Sequence, residues 1–549
     1  MFFFSRISSP LPRWVTSLTI IAALTLMCSA CTDDVDTGGE SRQSECPPGE
    51  ELHPILEECV EEDDGSADTG NDPDEEDTGS SDNGTDPDED TGTTPEDDTG
   101  TTPEEDTGNG GGPPDSGGGP EPEPCEGLQC ETADCPAGEE TTISGTVNIP
   151  SGELPLPDIM VYVPNSDLDP VADGAVCQTC DDELSAEVAM GDRTDVDGTF
   201  VIEPAPVGEE IPLVVETGKW RREHTIEVEA CQDNPIDPDL TRLPRNRSEG
   251  SMPQIAVTTG HCDALECLMR KIGIDDDEIS TADGDGIVHL YVGDDAPPDD
   301  DGNEVGGGSD RFDGGDDFID ADELWTDADK MLDYDIMLSS CECTVNSRPS
   351  EAYPAFQEFV DAGGRAFLSH YHYDWLNGTS DFDSLGTFGG LGFPPNLLGA
   401  ATGEINQSFP KGEMLADWMF GLGISPYGEF DIYEVRGSIG GINDSLVQDW
   451  VMVDGSGSMM GGDDSIQYIS FNTPVGIDEE DQCGRVVFSD IHVAGRSMTS
   501  SIDRSTPEHP FPTGCVTDDL SEQEKALIFM LFDLSSCIIP DDKGKGEPF

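Results

Sequence analysis

The chain has 549 residues, 119 of them acidic and 24 basic, for a formal net charge of -95. Such a surface repels phosphate almost everywhere, which excludes nucleic acid as a general partner. The length leaves room for two or three domains, and 17 cysteines are more than a reducing compartment favours.

At the start, Arg6 and Arg13 precede an apolar run over 15–27, and Ser29 and Ala30 lead into Cys31. This is the arrangement of a secretory signal ending in a lipidation motif, with Cys28 where Leu is usual. The run is short for a bilayer span. Residues 1–30 are therefore expected to be a lipoprotein signal peptide and Cys31 the lipidation site. The protein would be exported and lipid-anchored in a bacterial envelope, at the outer membrane or cell surface, with the membrane as a partner through its anchor.

Residues 31–124 are Asp, Glu, Thr, Gly and Pro around the imperfect repeat DTGTTPEDDTGTTPEEDTG. With almost no apolar side chains to offset ordering entropy, this reads as a disordered acidic linker, in which Cys46 and Cys59 close one small loop. Fifteen cysteines remain once Cys28 and Cys31 are set aside. Close groups such as Cys125/Cys130/Cys135, Cys177/Cys180 and Cys341/Cys343 suit bridges or zinc. Export favours bridges, and the odd count leaves at least one thiol free or paired elsewhere.

Residues 125–250 alternate with period two. TISGTVNI sets Ile143, Val147 and Ile149 on one face, IMVYV sets Ile159, Val161 and Val163 on another, and GTFVIEP, IPLVVETG and HTIEVEA continue the pattern. An antiparallel β-sandwich is the economical expectation. The run SGTV, TDVDGTF at 194–200 and the PVG turn at 206–208 resemble the carboxypeptidase regulatory-like domain, a transthyretin-like sandwich, which implies a non-catalytic accessory module. Asp195 and Asp197 read as part of a hairpin turn rather than a calcium loop. The basic cluster KWRR at 219–222 suits either an anionic ligand or pairing with nearby carboxylates.

From 251 to 540 strands alternate with helices. The order is strand QIAVTTG, helix DALECLMRKIGI and strand IVHLYVG, an acidic glycine-rich insertion at 294–317, and then helix ADELWTDADKML. Strand YDIMLSSC, helix YPAFQEFVDAGG and strand RAFLSHYH follow, and near the end GRVVFSDIHV is a strand and LSEQEKALIFMLFDL a helix. The alternation predicts a doubly wound, flavodoxin-like α/β domain with a parallel sheet. Residues 376–464 show no clear pattern, and 541–549 is a tail.

YDIMLSS, FVDAGGRAFLSHYH and GRVVFSDIHV resemble the ThuA-like branch of the class I glutamine amidotransferase-like superfamily. That resemblance implies the fold rather than the activity, since Cys341 and Cys343 in SSCECTV lack the glycines of a catalytic cysteine elbow. Independently, open parallel sheets bind ligands beyond the carboxyl ends of their strands. His261, Cys341, Cys343, His370, His372, Asp490 and His492 all fall at such ends, and all are of types that ligate metals. The expected ligand-binding residues are His261, His370, His372, Asp490 and His492. Cys341, His370 and His492 are the catalytic candidates, and the set admits a divalent metal as cofactor.

The expected function is a cell-envelope surface binding or adhesion module without enzymatic activity, its partner a carbohydrate or another envelope component. The alternatives are a hydrolase or other carbohydrate-processing enzyme built on the His/Cys edge, and a purely structural envelope component.

Overall fold

The computed structural model describes residues 50–52, 59–61, 125 and 127–538, except 179–183, 294–314, 316–317, 390–400, 425–426, 434, 455–463, 493–514, 516–518 and 537. Cys31, Cys46, Cys180, nearly all of the 31–124 linker, most of the acidic insertion and the tail lie outside the described residues. Two units divide the chain, Met1–Pro114 and Asp115–Phe549. In the first, β1 (Glu50–Leu52) and β2 (Cys59–Glu61) pair antiparallel.

In the second unit, period-two segments become β3 (Thr142–Thr146), β4 (Met160–Pro164), β5 (Val188–Arg193), β6 (Thr199–Ile202), β7 (Gly208–Thr217), β8 (Trp220–Val228) and β9 (Asp233–Pro235). They form two sheets, β6-β3-β9 and β5-β4-β7-β8. Successive side chains in a strand point to opposite faces. Ile143, Val161, Val163, Phe200, Leu213 and Val215 therefore join one buried core, while Met160, Tyr162 and Val214 face the other way. Two details depart from expectation. β9 runs parallel to β3, and the TDVDGTF turn is a corner between sheets, because β5 and β6 belong to different ones. Asp197 serves that corner, accepting from the Thr199 backbone N–H at 3.0 Å and its hydroxyl at 2.6 Å.

After the short helix α1 (Pro238–Thr241), the α/β part runs β10 (Ile255–Thr259), α2 (Leu265–Lys271), β11 (Ile279–Thr281), β12 (Val288–Val292), β13 (Ile319–Asp320), α3 (Asp322–Trp325), α4 (Ala328–Leu332) and β14 (Ile336–Ser339). There follow α5 (Ala352–Asp361), β15 (Arg365–Ser369), α6 (Tyr373–Gly378), β16 (Gly386–Phe388), β17 (Ala401–Ile405), α7 (Pro410–Gly421), β18 (Glu429–Ile432) and β19 (Ile439–Ile442). The chain closes with β20 (Gln448–Val453), β21 (Ser465–Thr473), β22 (Gly484–Ser489) and α8 (Glu522–Ser535). Local chemistry sets several helix starts. Asp327 caps α4 by accepting from Lys330 N–H at 3.2 Å, and Ser521 and Glu524 form a reciprocal capping box on α8.

The main sheet has eleven strands in the order β11-β12-β10-β14-β15-β22-β21-β20-β17-β18, with β13 beside β12. From β11 to β22 neighbours run parallel, but β21, β20, β17 and β18 extend the sheet antiparallel. A wholly parallel sheet is thus corrected to a mixed one. The reason is connection length: the ten residues 474–483 between β21 and β22 allow an antiparallel return but no helical crossover. Helices cover both faces. Ile255, Val257, Leu338, Phe367 and Val487 pack with α2, α7, α8 and the smaller sheets. Ala256, Met337, Ala366, Leu368 and Phe488 pack with α3, α4 and α5. Trp220 packs at a tilt against Phe532, ring centroids 5.7 Å apart, and Trp418 donates to the Pro155 carbonyl at 2.8 Å, so the two architectures share one core.

Among the described residues, five disulfides brace this unit: Cys125–Cys130, Cys135–Cys231, Cys177–Cys483, Cys262–Cys343 and Cys267–Cys515. Cys341 is the free cysteine among the described residues, and it is buried.

Candidate functional site

β14, β15 and β22 are consecutive in the sheet and parallel, so their carboxyl ends open onto one edge. Each delivers one side chain there: Cys341 two residues past β14, His370 directly after β15, and His492 three residues past β22. Cys341 is clamped by its neighbours. Its carbonyl accepts from the Cys262 N–H at 3.0 Å, and the Cys262–Cys343 bridge ties the two loops. Gly260 lets them meet, since a Cβ there would lie 2.2 Å from the Cys341 carbonyl oxygen.

His370 has φ +50°, a left-handed conformation uncommon outside glycine. It makes the turn from β15 into a 3-10 turn at His370–His372 abrupt and aims the imidazole along the sheet edge. His492 is positioned through its backbone, whose carbonyl accepts from the Gln523 side chain of α8.

These three side chains converge. Cys341 Sγ lies 3.1 Å from His370 Nδ1 and 3.2 Å from His492 Nε2, and the two ring nitrogens are 3.0 Å apart. All are buried, Cys341 and His370 with no exposed surface. The Cys343 N–H also donates to Cys341 Sγ, at 3.4 Å. On the far side of His370, Arg436 Nε donates to Nε2 at 2.9 Å. A guanidinium has only donors, so Nε2 must hold a lone pair and the neutral ring carries its proton on Nδ1, facing the sulfur and His492. Burial, His492 and Arg436 all hold His370 well below the usual imidazole range, so the ring is neutral.

The remaining predicted residues lie outside this group. His372, two positions along the tight turn, belongs to a separate buried network: it hydrogen-bonds the Ser340 carbonyl at 2.8 Å and Arg348 at 3.0 Å. Arg348 is bidentate on Glu342 at 3.1 and 2.9 Å and sits 4.3 Å over the Trp325 ring. His372 is thus corrected from a ligand of the group to a partner of that ion pair. Asp490 points to the loop before β19, where one carboxylate oxygen accepts from the Ser438 N–H. Burial pushes its carboxyl up to about 7. His261 is exposed on the loop after β10, and Cys343 is consumed by its bridge.

Arg436, Glu342 and Arg348 went unnoticed as site residues in the sequence. Arg436 lies in the unpatterned 376–464 stretch, and its only signal was being a base in a chain with few. The conspicuous KWRR cluster turns out to serve the fold. Lys219 pairs with Asp335, Arg221 donates to the Asp169 carbonyl at 2.7 Å, and Arg222 donates to the Asp239 carbonyl at 2.8 Å.

No protein-family model and no curated protein matches the chain. Its structural neighbours include ThuA-like proteins that cover half of it at low identity. One, from Bacteroides uniformis, is 9% identical over 50% of this chain and 88% of its own, with a TM-score of 0.27. Another, from Parabacteroides merdae, is 10% identical over 49% of this chain and 97% of its own, with a TM-score of 0.26. A cohesin–X-dockerin complex from Acetivibrio cellulolyticus aligns at 13% identity over 26% of this chain and 75% of that one, with a TM-score of 0.13. All three scores are too low to support a function.

Proposed function

We propose that this protein is an exported, lipid-anchored binding module whose ligand centre is the Cys341, His370 and His492 group. In this reading Cys31 carries the anchor, 31–124 is a tether, a transthyretin-like sandwich is the accessory module, and the flavodoxin-like part of the large sheet presents the site. One observation carries the proposal: ten described cysteines are bridged, whereas Cys341 is kept as a thiol and buried against two imidazoles. Retention is favoured over turnover because Cys341 has no exposed surface from which to attack a substrate. A carbohydrate or envelope partner, if bound, would contact the rim around this group.

The second reading, a thiol-dependent hydrolase, is favoured by the Cys343 N–H on the sulfur and by His492 within reach of a thiol proton. The test applies iodoacetamide and p-nitrophenyl acetate to the native full chain. The binding reading expects Cys341 to be labelled only after denaturation, with no hydrolysis above background. Ester turnover abolished by Cys341→Ala would overturn it in favour of the hydrolase. For the anchor, Cys31→Ala should release the protein from membranes, and unchanged membrane association would count against lipidation.

A further inference from the structure

We propose that Cys341, His370 and His492 capture one soft or borderline transition-metal cation, and that Arg436 is a displaceable occupant of His370 which withdraws as the ion enters. The inference rests on the reading of this edge as the ligand centre and names what that centre takes. One thiol and two imidazoles suit zinc or copper rather than calcium or magnesium, whose oxygen ligands the acidic surface could supply anywhere. The spacing fits. Edges of 3.0, 3.1 and 3.2 Å put each ligand atom ~1.8 Å from the triangle's centre, so bonds of about 2.0–2.3 Å place an ion ~1 Å out of the plane.

Arg436 makes the capture conditional. With Nε2 accepting from the guanidinium, the His370 proton sits on Nδ1, the atom that must bond the metal. Binding therefore requires three coupled changes. The Cys341 thiol loses its proton to solvent, the His370 proton leaves Nδ1 and one is taken up at Nε2, and bonds form from the metal to Sγ, Nδ1 and Nε2 of His492. One proton is released per ion and no electrons are transferred. The new Nε2–H then faces the Arg436 N–H, two donors with nothing between them to accept, so the guanidinium must leave. It can do so alone, because the Arg436 backbone is held separately: its carbonyl accepts from Gln467 Nε2 at 2.9 Å and Ser465 Oγ at 3.0 Å. Arg436 thereby links occupancy of the buried group to the half-buried loop between β18 and β19.

Cobalt(II), a coloured stand-in for zinc, provides the test on the full chain after treatment with chelator. The wild type should bind one equivalent and show a thiolate-to-cobalt charge-transfer band. Cys341→Ser should lose that band, and His492→Ala should bind at least about tenfold more weakly. Arg436→Met, a change at a half-buried position that removes the competing donor, should bind about tenfold more tightly. Nitrogen-15 shifts of His370 should move from an Nδ1–H to an Nε2–H pattern on binding. Absence of the band in both wild type and Arg436→Met overturns the metal inference, and unchanged affinity in Arg436→Met overturns the displacement. If no cobalt binds but native Cys341 turns over ester, the metal inference and the binding reading both fall, and the edge is a reactive centre instead. If it neither binds cobalt nor reacts, only the metal is wrong, because the binding reading itself expects an unreactive Cys341.

Discussion

Three consecutive residues in the loop after β14 have three separate jobs: Cys341 enters the candidate site, Glu342 binds Arg348 and Cys343 closes a bridge. Glu342 and Arg348 are each only 1% exposed, so their attraction is unscreened and neither tolerates losing the other. Glu342→Ala should destabilise the protein by about 3–5 kcal/mol in urea denaturation, because it leaves a buried guanidinium unmatched. Replacing both partners with Leu and Met should cost clearly less; equal losses would mean the pair contributes more than it costs. A second buried carboxylate lends itself to a pH test. Glu216 accepts from the Tyr162 hydroxyl at 2.5 Å and is bonded by Ser185, and burial raises its carboxyl above the ordinary range. A raised folded-state value means the native protein holds that proton more tightly than the unfolded chain. The resulting stability is fully present below the unfolded value of about 4.5 and is lost as pH rises through the folded one. Glu216→Gln keeps the neutral form at every pH. Its stability relative to wild type should therefore improve from about pH 4.5 up to the raised folded value and level off above it, and a difference independent of pH would refute the assignment.

At the level of elements, the disulfide Cys177–Cys483 joins the segment after β4 to the turn before β22 across 306 residues. A link over so long a separation restricts the unfolded chain strongly. The double replacement Cys177→Ser with Cys483→Ser should lower stability by about 2–4 kcal/mol in urea denaturation, with a steeper slope because the unfolded chain without the bridge exposes more surface. Elements were legible in the sequence where burial is one-sided or complete. β4, β7 and β8 showed their alternation, and β10, β14, β15 and β22 their continuous apolar runs. The segment 376–464 hid its structure for identifiable reasons. β17 is ATGEI, alternating small and polar residues, and β19 is IGGI. α7 carries Gly412 because a Cβ would lie 2.0 Å from the Asn406 carbonyl, and a glycine in mid-helix reads as a loop. The site was half legible for a related reason. Strand ends are readable, so His370 and His492 stand out, but which histidine of HYH faces inward depends on the left-handed turn at His370. No sequence period announces that turn.

Over the whole molecule, a formal charge of -95 acts against compactness at neutral pH, and its weight can be separated from that of any single pair. Two kinds of electrostatics coexist. The buried pairs, Lys271 with Glu524 at 2.8 Å and Arg485 and Lys411 with Asp533 at 3.3 and 2.7 Å, are shielded from mobile ions and tie α2, β22 and α7 to α8. The surface carboxylates are not shielded, and with 119 acids against 24 bases their net interaction is repulsive. Raising monovalent salt from about 0.1 M to about 1 M shortens the screening length from about 10 Å to about 3 Å. That relieves surface repulsion and leaves the buried pairs nearly untouched. The melting temperature of the full chain at neutral pH should therefore rise with salt, and Lys271→Met should lower it by a similar amount at both ionic strengths. A melting temperature that falls with salt would mean that screened attractions, not repulsions, dominate this surface. A Lys271→Met penalty that vanishes in high salt would place that pair in solvent rather than between α2 and α8.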